Sequence, residues 1–446
     1  MTVIVDWLAR REWCLPAAAA LAWWALFYPG FISEDSLITL NEARAGNASV
    51  VFTAWWVFVV DALTLGTRAI PMLTLINVMV LEYAAYWWMT TVLPKDRARA
   101  VTVLFIAVSP MVAALGIQIR RDAAMTSGLL LCAIALTRTW APGARFSRID
   151  FAALALAVPL VSTRQNSTPT LIATAVLLLA VRKWRHAAAI AAVAVGAITV
   201  TYAATRAAGH TSPVDSIQAV DAVMADISCL LSDPNVAATE AEWAALSPIA
   251  SRNDWPQEGA CWYINPMLRS RTFNAVAVPQ NYDGITGVWL SLASRYPLKM
   301  AAAHAKRVRM FLPPFAIGIP HRLVENYLHS TILPNDFGLA WKFPALAERA
   351  RIIVRAWNAA SLVLSHAGLW LIVLLIFAWR GQQYRVLLPT CMMAVALDAG
   401  LVMATPVSEG RYGLFILICG QAATMHWLTA SFVTKGVHRI EESRKR

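Results

Sequence analysis

Long apolar runs alternate with short polar loops along most of the chain. A helix needs about 20 mostly apolar residues to cross the hydrocarbon core of a bilayer, so runs near that length predict membrane spans. Ten such runs occur, of which the fifth and sixth are short: Trp13 to Tyr28, Ile70 to Leu93, Ala100 to Ile117, Ala123 to Thr137, Phe151 to Val161, Thr168 to Val181, Ala187 to Ala204, Trp357 to Trp379, Val386 to Met403 and Leu414 to Phe432. The pattern predicts an all-α polytopic membrane protein with about ten transmembrane helices.

One further apolar stretch, Val50 to Leu65, is ambiguous because it also carries Asp61, Trp55 and Trp56. If it does not cross, the basic loops between the spans and both termini all fall on one side, which the positive-inside rule makes cytoplasmic. If it crosses, three of those loops move outside. We therefore predict an interfacial or re-entrant helix on the outer face, with its tryptophans at the level of the lipid headgroups.

Composition agrees with the membrane assignment, since 58% of the residues are hydrophobic and only 14% are charged. The surface of a water-soluble globule could not cover so much apolar material. The net charge of +12 comes largely from the cytoplasmic loops and the tail His438 to Arg446, where a basic rim is expected to face anionic lipids. We expect the lipid bilayer as a partner and no nucleic acid. The predicted location is the plasma (inner) membrane, with the functional loops on the extracytoplasmic face.

This topology divides the chain into three parts. Residues 1–205 form an N-terminal transmembrane module, residues 206–356 an extracytoplasmic helical segment rich in Asp, Asn, Pro and Ser, and residues 357–446 the C-terminal transmembrane helices with the basic tail. Cys229 and Cys261 are the two cysteines of the outer segment. Two cysteines alone in an oxidising compartment predict a disulfide between them.

The outer segment also contains two charged stretches with structural interpretations. Asp215, Asp221 and Asp226 share one predicted helix, where we expect a solvated polar face. Arg295 to Arg309 forms a basic amphipathic stretch, which we expect to lie along the outer surface of the bilayer. His321 and Arg322 follow in a loop, where a histidine is usually exposed or structural.

The outer loops of the membrane module carry the candidate chemistry. Glu34 and Asp35 follow the first span, although Asp35 or Ser33 could instead cap a helix. Asp122 lies between two spans and could instead form an ion pair at a helix end. The remaining candidates are basic, amide or phenolic side chains of these loops: Arg120, Arg121, Arg164, Gln165, Asn166, Arg411 and Tyr412.

An arginine beside two amides, as in the sequence Arg164-Gln-Asn166, suits a phosphate or sugar hydroxyls. Its alternative is an arginine that snorkels to the lipid headgroups. The alternative for the pair Arg411-Tyr412 is an interfacial anchor. Acidic side chains beside these cations suit a reaction that needs a base for a hydroxyl group and cations for a departing phosphate.

The acidic first and second outer loops, the large outer segment and the C-terminal spans resemble the GT-C superfamily of integral-membrane glycosyltransferases. The resemblance implies a polyprenyl-phosphate-linked sugar as donor and a cell-envelope glycan or lipid-linked acceptor. It implies Asp35 as general base, Glu34 as a supporting carboxylate and Asp122 as a second acidic site residue. The basic and amide side chains, with His321 and Arg322, would bind the donor phosphate or sugar.

No cofactor is certain from the sequence. A divalent cation, Mg²⁺ or Mn²⁺, stays open because the first loop has Glu34-Asp35 but no Asp-x-Asp or Glu-x-Asp. Two other functions also stay open. An O-antigen-ligase-like transferase would centre on His321 and Arg322 and would not need Asp35. A multi-span transporter or flippase would be expected to show an internal repeat and spans broken near the midplane, and neither is visible.

Overall fold

The structure is a computed structural model that describes residues 7, 9–46, 54–207, 214–262, 264–312, 336–380, 382–405 and 410–445. These residues form helices joined by turns, with no β-strand among them, as the apolar pattern predicts. His321 and Arg322 lie outside the described residues.

Ten α-helices with defined bounds lie within the described residues of the first 207. They are α1 (Leu15–Leu26), α2 (Glu34–Ala45), α3 (Ala54–Thr64), α4 (Ile70–Val92), α5 (Arg97–Ala107), α6 (Pro110–Gly116), α7 (Arg121–Arg138), α8 (Arg148–Val161), α9 (Ser167–Ala180) and α10 (Trp184–Ala207). A 3₁₀ turn, Glu12–Cys14, precedes α1.

The outer segment and the C-terminal part supply eleven more α-helices in the described ranges. They are α11 (Val214–Leu231), α12 (Glu240–Leu246), α13 (Asn265–Leu268), α14 (Ala277–Gln280), α15 (Tyr282–Arg295), α16 (Pro297–Arg307), α17 (Pro344–Ala359), α18 (Ser361–Leu364), α19 (Ala367–Arg380), α20 (Leu388–Ala404) and α21 (Leu414–Lys445). Three 3₁₀ turns lie between them: Glu258–Cys261, Gln382–Leu387 and Gly410–Gly413.

Four stretches of helix are long and apolar enough to cross a bilayer: Ile70–Val92, Trp184–Ala207, Arg385–Ala404 and Arg411–Ser431. The pair α5 and α6 would be a fifth span if its two halves are counted together. The remaining apolar helices of the bundle are shorter than a full span. These helices of spanning length indicate a membrane protein, with four or five candidate spans in the described part of the chain.

Two predicted spans are interrupted. The segment Ala100 to Ile117 bends by 50° between α5 and α6. Pro110 is the first residue of α6, and a proline there has no N–H to continue the hydrogen bonds of the preceding helix. The proline therefore favours a break at this position.

The predicted span Trp357 to Trp379 is likewise divided among α17, α18 and α19. His366 Nδ1 accepts a hydrogen bond from the Leu369 N–H at 3.2 Å and so caps the start of α19. At Gly368 the backbone is so close to the neighbouring chain that an added Cβ would lie 2.4 Å from the carbonyl oxygens of Phe311 and Leu312. Glycine is needed there for this contact.

The stretch Val50 to Leu65 contains the short helix α3, but its tryptophans do not both face headgroups as predicted. Trp56 is only 2% exposed and belongs to a cluster of buried residues with Leu40 and Leu73. Trp55 Nε1 donates to Pro159 O at 2.7 Å. Both tryptophans therefore contact other parts of the protein, which accounts for their presence in this helix without lipid headgroups.

Two main hydrophobic cores hold the molecule together. The larger core joins the helices of the membrane bundle and includes Trp88 and Phe415. A second core, with Met224, Trp255 and Leu292, is formed by α11 to α16 and the turns between them. Helix α17 differs from the rest of the predicted outer segment, because its Ala347 and Val354 lie in the larger core.

Candidate functional site

The first two outer loops are joined through backbone contacts. The Phe31 N–H donates to Ile117 O at 3.2 Å, and Phe31 forms an isolated parallel bridge with Gln118. Gly30 has a φ of +126°, and an added Cβ would lie 2.5 Å from Ile117 O. Because an L side chain would be both strained and obstructed there, glycine lets the first loop approach the second.

Helix α2 begins with a capping box formed by two serines. The Ser36 N–H donates to Ser33 Oγ at 3.3 Å, and the Ser33 N–H donates to Ser36 Oγ at 3.2 Å. Ser33 is therefore the N-cap, and the alternative in which Asp35 caps the helix is wrong. Glu34 is the first residue of α2, and its side chain is not among those described. The Asp35 carboxylate therefore has some role other than capping α2.

Asp35 reaches arginines from two other parts of the chain. Arg411 Nη1 donates to Asp35 Oδ2 at 2.9 Å, and Arg120 Nη1 lies 3.9 Å from the same oxygen. Arg120 Nε also donates to Ser33 Oγ at 3.2 Å. Both arginines are buried, whereas the Asp35 side chain is 56% exposed. The carboxylate thus lies at the accessible edge of a buried basic group.

Asp122 and Arg164 form a second ion pair beside the first. Arg164 Nη1 lies 2.5 Å from Asp122 Oδ1, and both side chains are largely buried. The Arg164 guanidinium stacks over the Tyr412 ring at 4.3 Å, and Arg411 Nη2 donates to Tyr412 Oη at 3.3 Å. Tyr412 thereby connects the two ion pairs. Asp122 therefore forms an ion pair, but with Arg164 of another loop and not with a residue next to it in the sequence, as the alternative predicted.

We call this group the loop cluster; its members are Asp35, Arg120, Arg121, Asp122, Arg164, Arg411 and Tyr412. Four loops that are far apart in sequence contribute to it. It contains four guanidinium groups and two carboxylates, which leaves an excess of two positive charges. Such an excess in a largely buried place attracts an anion with several oxygen atoms, because arginines bind phosphate and carboxylate strongly.

Two buried guanidinium nitrogens of the loop cluster, Arg121 Nη1 and Arg164 Nε, have no hydrogen-bond partner among the described residues. A buried donor without an acceptor costs about 1–3 kcal/mol, and more if it is charged. An anion at the cluster would supply acceptors to both. The charge excess and these donors therefore indicate the same class of ligand.

The electrostatic surroundings also set the basicity of Asp35. Burial raises its pKa, but the charges of Arg411, Arg121 and Arg164 and the hydrogen bond from Arg411 lower it more, so the pKa lies below its usual value. The carboxylate is therefore ionised at neutral pH and is a weak base while the arginines are unneutralised. An anion that neutralised the arginines would make Asp35 more basic.

Gln165 and Asn166 continue the third loop from Arg164. Asn166 precedes the first residue of α9 without capping it through its side chain. Gln165 lines a groove of about 460 Å³ between the start of α9 and the end of α10, together with Arg164 and Tyr202. Gln165 is therefore next to the loop cluster, on the side that faces this groove.

The loop cluster does not fit a divalent cation. Each of its two carboxylates is paired with an arginine, and the surplus positive charge repels Mg²⁺ or Mn²⁺. No group of three His, Cys, Asp or Glu side chains in the described part of the chain could hold a metal ion. No chemical step is assigned to a metal.

A second ionic group connects the outer segment to the membrane bundle. We call Asp226, His304 and Arg307 the joint cluster. Arg307 Nε lies 2.9 Å from Asp226 Oδ1, and His304 Nδ1 lies 3.0 Å from Asp226 Oδ2. Asp226 is 2% and Arg307 1% exposed. Asp221 of the same helix is also buried, at 8% exposed. The predictions of a solvated face at Asp221 and Asp226 and of an Arg307 lying on the bilayer are therefore wrong.

The joint cluster binds the last carbonyl groups of α20. His304 Nε2 donates to Val402 O at 2.9 Å, and Arg307 Nη1 donates to Thr405 O. The final carbonyls of a helix have no partner within the helix, and cations there also interact favourably with the helix dipole. The helical spacing of His304 and Arg307, one turn apart, was the only sign of this role in the sequence.

The predicted disulfide between Cys229 and Cys261 is present. Comparison of the chain with protein-family models, curated proteins and solved structures finds no match. Function must therefore be inferred from the two ionic clusters and the groove.

Proposed function

We propose that this chain is a GT-C-like glycosyltransferase of the plasma membrane, with ten spans and its active site on the extracytoplasmic face. It transfers a sugar from a polyprenyl-phosphate donor to a cell-envelope glycan or a lipid-linked acceptor. The observation that carries the proposal is the position of Asp35, an exposed carboxylate at the edge of four arginines. A base and a site for a phosphate leaving group are thereby adjacent.

In the proposed reaction, the donor phosphate binds to the arginines of the loop cluster. Its negative charge neutralises them, and Arg411 is drawn from Asp35 toward the phosphate. Asp35 then becomes a stronger base than in the resting ion pair. The base is thus active only when the donor is bound, which limits unproductive contact of the acceptor with an empty site.

The chemical step forms one bond and breaks one. Asp35 accepts the proton of the acceptor hydroxyl as its oxygen attacks the anomeric carbon, and the bond between that carbon and the phosphate oxygen breaks. The electron pair leaves with the polyprenyl phosphate, whose charge is stabilised by the arginines. Asp35 afterwards loses its proton to solvent, to which it is exposed.

The base assignment is tested in a strain that lacks the protein, by mass spectrometry of its cell-envelope glycans. Wild-type protein should restore the sugar residue that is missing from the glycans of the deletion strain. The Asp35→Asn protein should transfer this sugar about a hundredfold more slowly, or slower still. The control is Asp61→Asn, which removes an exposed carboxylate from α3. It should restore the glycan fully.

Normal glycans with Asp35→Asn would refute the base assignment. If His321→Ala then abolished transfer, the ligase-like alternative would replace it, since that reaction does not require Asp35. A deletion strain with unchanged glycans but an accumulated lipid-linked precursor would favour a transporter or flippase instead.

A further inference from the structure

Two arginines near the end of α16 use the same edge of the guanidinium group in different ways. Arg307 Nε and Nη2 donate to the two carboxylate oxygens of Asp226 at 2.9 and 3.2 Å. Arg309 is only 7% exposed, yet its Nε and Nη2 are buried without a hydrogen-bond partner among the described residues. These two nitrogens form the edge that binds paired oxygens of a carboxylate or phosphate. Arg309 therefore presents a complete anion-binding edge that no described side chain uses.

An aromatic ring covers one face of the Arg309 guanidinium. Its Cζ atom lies over the Trp262 ring, 5.0 Å from the ring centre, and Trp262 follows Cys261 of the disulfide. Stacking on a face leaves the N–H groups, which point outward in the plane of the guanidinium, available to an acceptor. Because a buried charged donor without an acceptor is unfavourable, this side chain is stabilised by a bound anion.

The segment that carries Arg309 packs against the break between α18 and α19. The Gly368 N–H donates to Met310 O at 3.1 Å, and the charge of Arg309 acts on His366. Ser365 Oγ is buried at this break and has no hydrogen-bond partner in the described structure. The first N–H groups of a helix and the positive end of its dipole also favour an anion. The break thus adds further donors near the edge of Arg309.

His366 contributes a donor without adding charge. Its Nδ1 accepts a hydrogen bond from the Leu369 N–H at 3.2 Å, so the ring proton is on Nε2 and the imidazole is neutral. Among Arg309, Ser365 and His366, only Arg309 is then charged. A phosphate group with one negative charge balances it, and its tetrahedral oxygens can accept from donors on two different segments. A planar carboxylate, with two oxygens, matches such an arrangement less well.

These side chains lie at the same end of the helix bundle as the loop cluster. An added Cβ at Gly413, next to Tyr412, would lie 2.5 Å from Ala367 Cβ and 3.6 Å from Phe311 Cε1. The two groups are nevertheless separate, because Arg309 stacks on Trp262 of the outer segment and not on Tyr412. At this end of a membrane bundle, phosphate groups come from two sources, the solvent and the lipid headgroups.

We propose that Arg309, Ser365 and His366, with the start of α19, bind a singly charged phosphate group that joins the outer segment to the C-terminal helices. The ligand is inorganic phosphate or the phosphodiester of a phospholipid headgroup, which offer the same oxygens and charge. The site does not depend on the proposed transfer reaction, since none of its side chains belongs to the loop cluster. It also gives a role to the break in the predicted span Trp357 to Trp379, because a continuous helix would have no N-terminus there.

Amide hydrogen exchange of the full-length protein tests the site. Mass spectrometry follows exchange in peptides that cover residues 308–312 and 365–370. One arm compares inorganic phosphate with chloride at equal ionic strength in a maltoside detergent. The other compares nanodiscs of phosphatidylglycerol with nanodiscs of an uncharged glycolipid, both without free phosphate. A local measurement is needed because the loop cluster is also expected to bind phosphate.

Exchange in both wild-type peptides should slow about tenfold at a ligand concentration of roughly nine times Kd, because the free energy of opening rises by RT ln(1 + [L]/Kd). Arg309→Gln should lose this protection. Arg309→Lys keeps the charge but not the paired N–H edge, so it should lose most of the protection as well. Two controls should be protected like wild type: Lys306→Gln, which removes an exposed cation nearby, and Arg121→Gln in the loop cluster.

Protection in one arm only would support the site and identify the source of the phosphate group. Absence of protection in both arms would overturn the proposal, and so would equal protection of Arg309→Gln and wild type. Equal protection of Arg309→Lys and wild type would also overturn it, since a point charge would then suffice. Because Arg309→Lys retains the positive charge, it provides the test even if Arg309→Gln does not fold.

Discussion

The two buried ionic clusters of this protein are built from the same residue types but differ in how well their charges are matched. In the joint cluster one buried carboxylate, Asp226, is surrounded by His304 and Arg307, whose other nitrogens reach carbonyls of α20. Side-chain nitrogens and oxygens of this cluster all have partners. In the loop cluster four arginines share two carboxylates, and Arg121 and Arg164 keep unpaired nitrogens within the described structure.

This difference separates a structural role from a binding role. A buried charge group is stable without a ligand only when it is balanced and hydrogen-bonded, and the joint cluster meets both conditions. The loop cluster meets neither, so its lowest free energy is expected with an anion bound. The charge balance of a cluster is thus more informative about function than its content of acidic residues.

The largest loss of unfolding free energy should come from removing the negative charge of the joint cluster. Asp226→Asn leaves Arg307 buried without a counter-charge, which typically costs about 3 to 5 kcal/mol of unfolding free energy. Denaturant unfolding of the purified protein in detergent measures the change. Asp283→Asn, at an exposed position of the same outer segment, should stay within about 0.5 kcal/mol of wild type. Equal behaviour of the two variants would contradict the structural role.

The disulfide is the second support of the same region, because Cys229 lies about one helical turn beyond Asp226 on α11. The two cysteines are 32 positions apart, and closing a loop of that size stabilises a fold by roughly 3 to 4 kcal/mol on the chain-entropy model. Replacing both with serine should lower the unfolding free energy by this amount. A non-reducing peptide map gives an independent check, and two free thiols in fresh protein would rule the bridge out.

Sequence alone predicted the parts of this structure that follow from local pattern. The apolar runs gave the helices, and the convergence of outer loops brought Asp35, Asp122, Arg164 and Arg411 together as candidates. It did not identify Ser33 as the N-cap in preference to Asp35, since both residue types cap helices equally well. The choice depends on Ser36, which completes the capping box.

The joint cluster could not be predicted because its meaning depends on contacts across the fold. Asp226 and Arg307 are 81 positions apart, and each alone looks like part of a solvated polar face. The breaks near Pro110 and Gly368 also depend on context, because proline and glycine occur within many continuous membrane helices. Tertiary contacts decide which of these local signals prevails.

Acid should destabilise the joint cluster. Burial raises the pKa of Asp226, but hydrogen bonds from His304 and Arg307 and the charge of Arg307 lower it below its ordinary value of 3.8. A carboxylate with a lowered pKa in the folded state stabilises the fold above the unfolded pKa, and this contribution is lost as the pH falls through the folded value. Stability should therefore decline below about pH 4 in wild type and less in Asp226→Asn. Parallel pH curves for the two proteins would show that Asp226 is not responsible.

The smallest expected change in stability is the one that tests the loop cluster most directly. Arg121→Gln removes one of the surplus charges and a guanidinium nitrogen without an acceptor, so unfolding free energy should stay unchanged or rise by up to about 1 kcal/mol. A structural arginine would instead cost stability when removed. Arg68→Gln, at an exposed position, is the control for loss of charge alone.

Added inorganic phosphate should stabilise wild type and Arg68→Gln more than Arg121→Gln, because a ligand that binds only the folded state raises its stability by mass action. If Arg121→Gln were strongly destabilised and phosphate had the same effect on all three proteins, the loop cluster would be a second structural joint, and the distinction between the two clusters would fail.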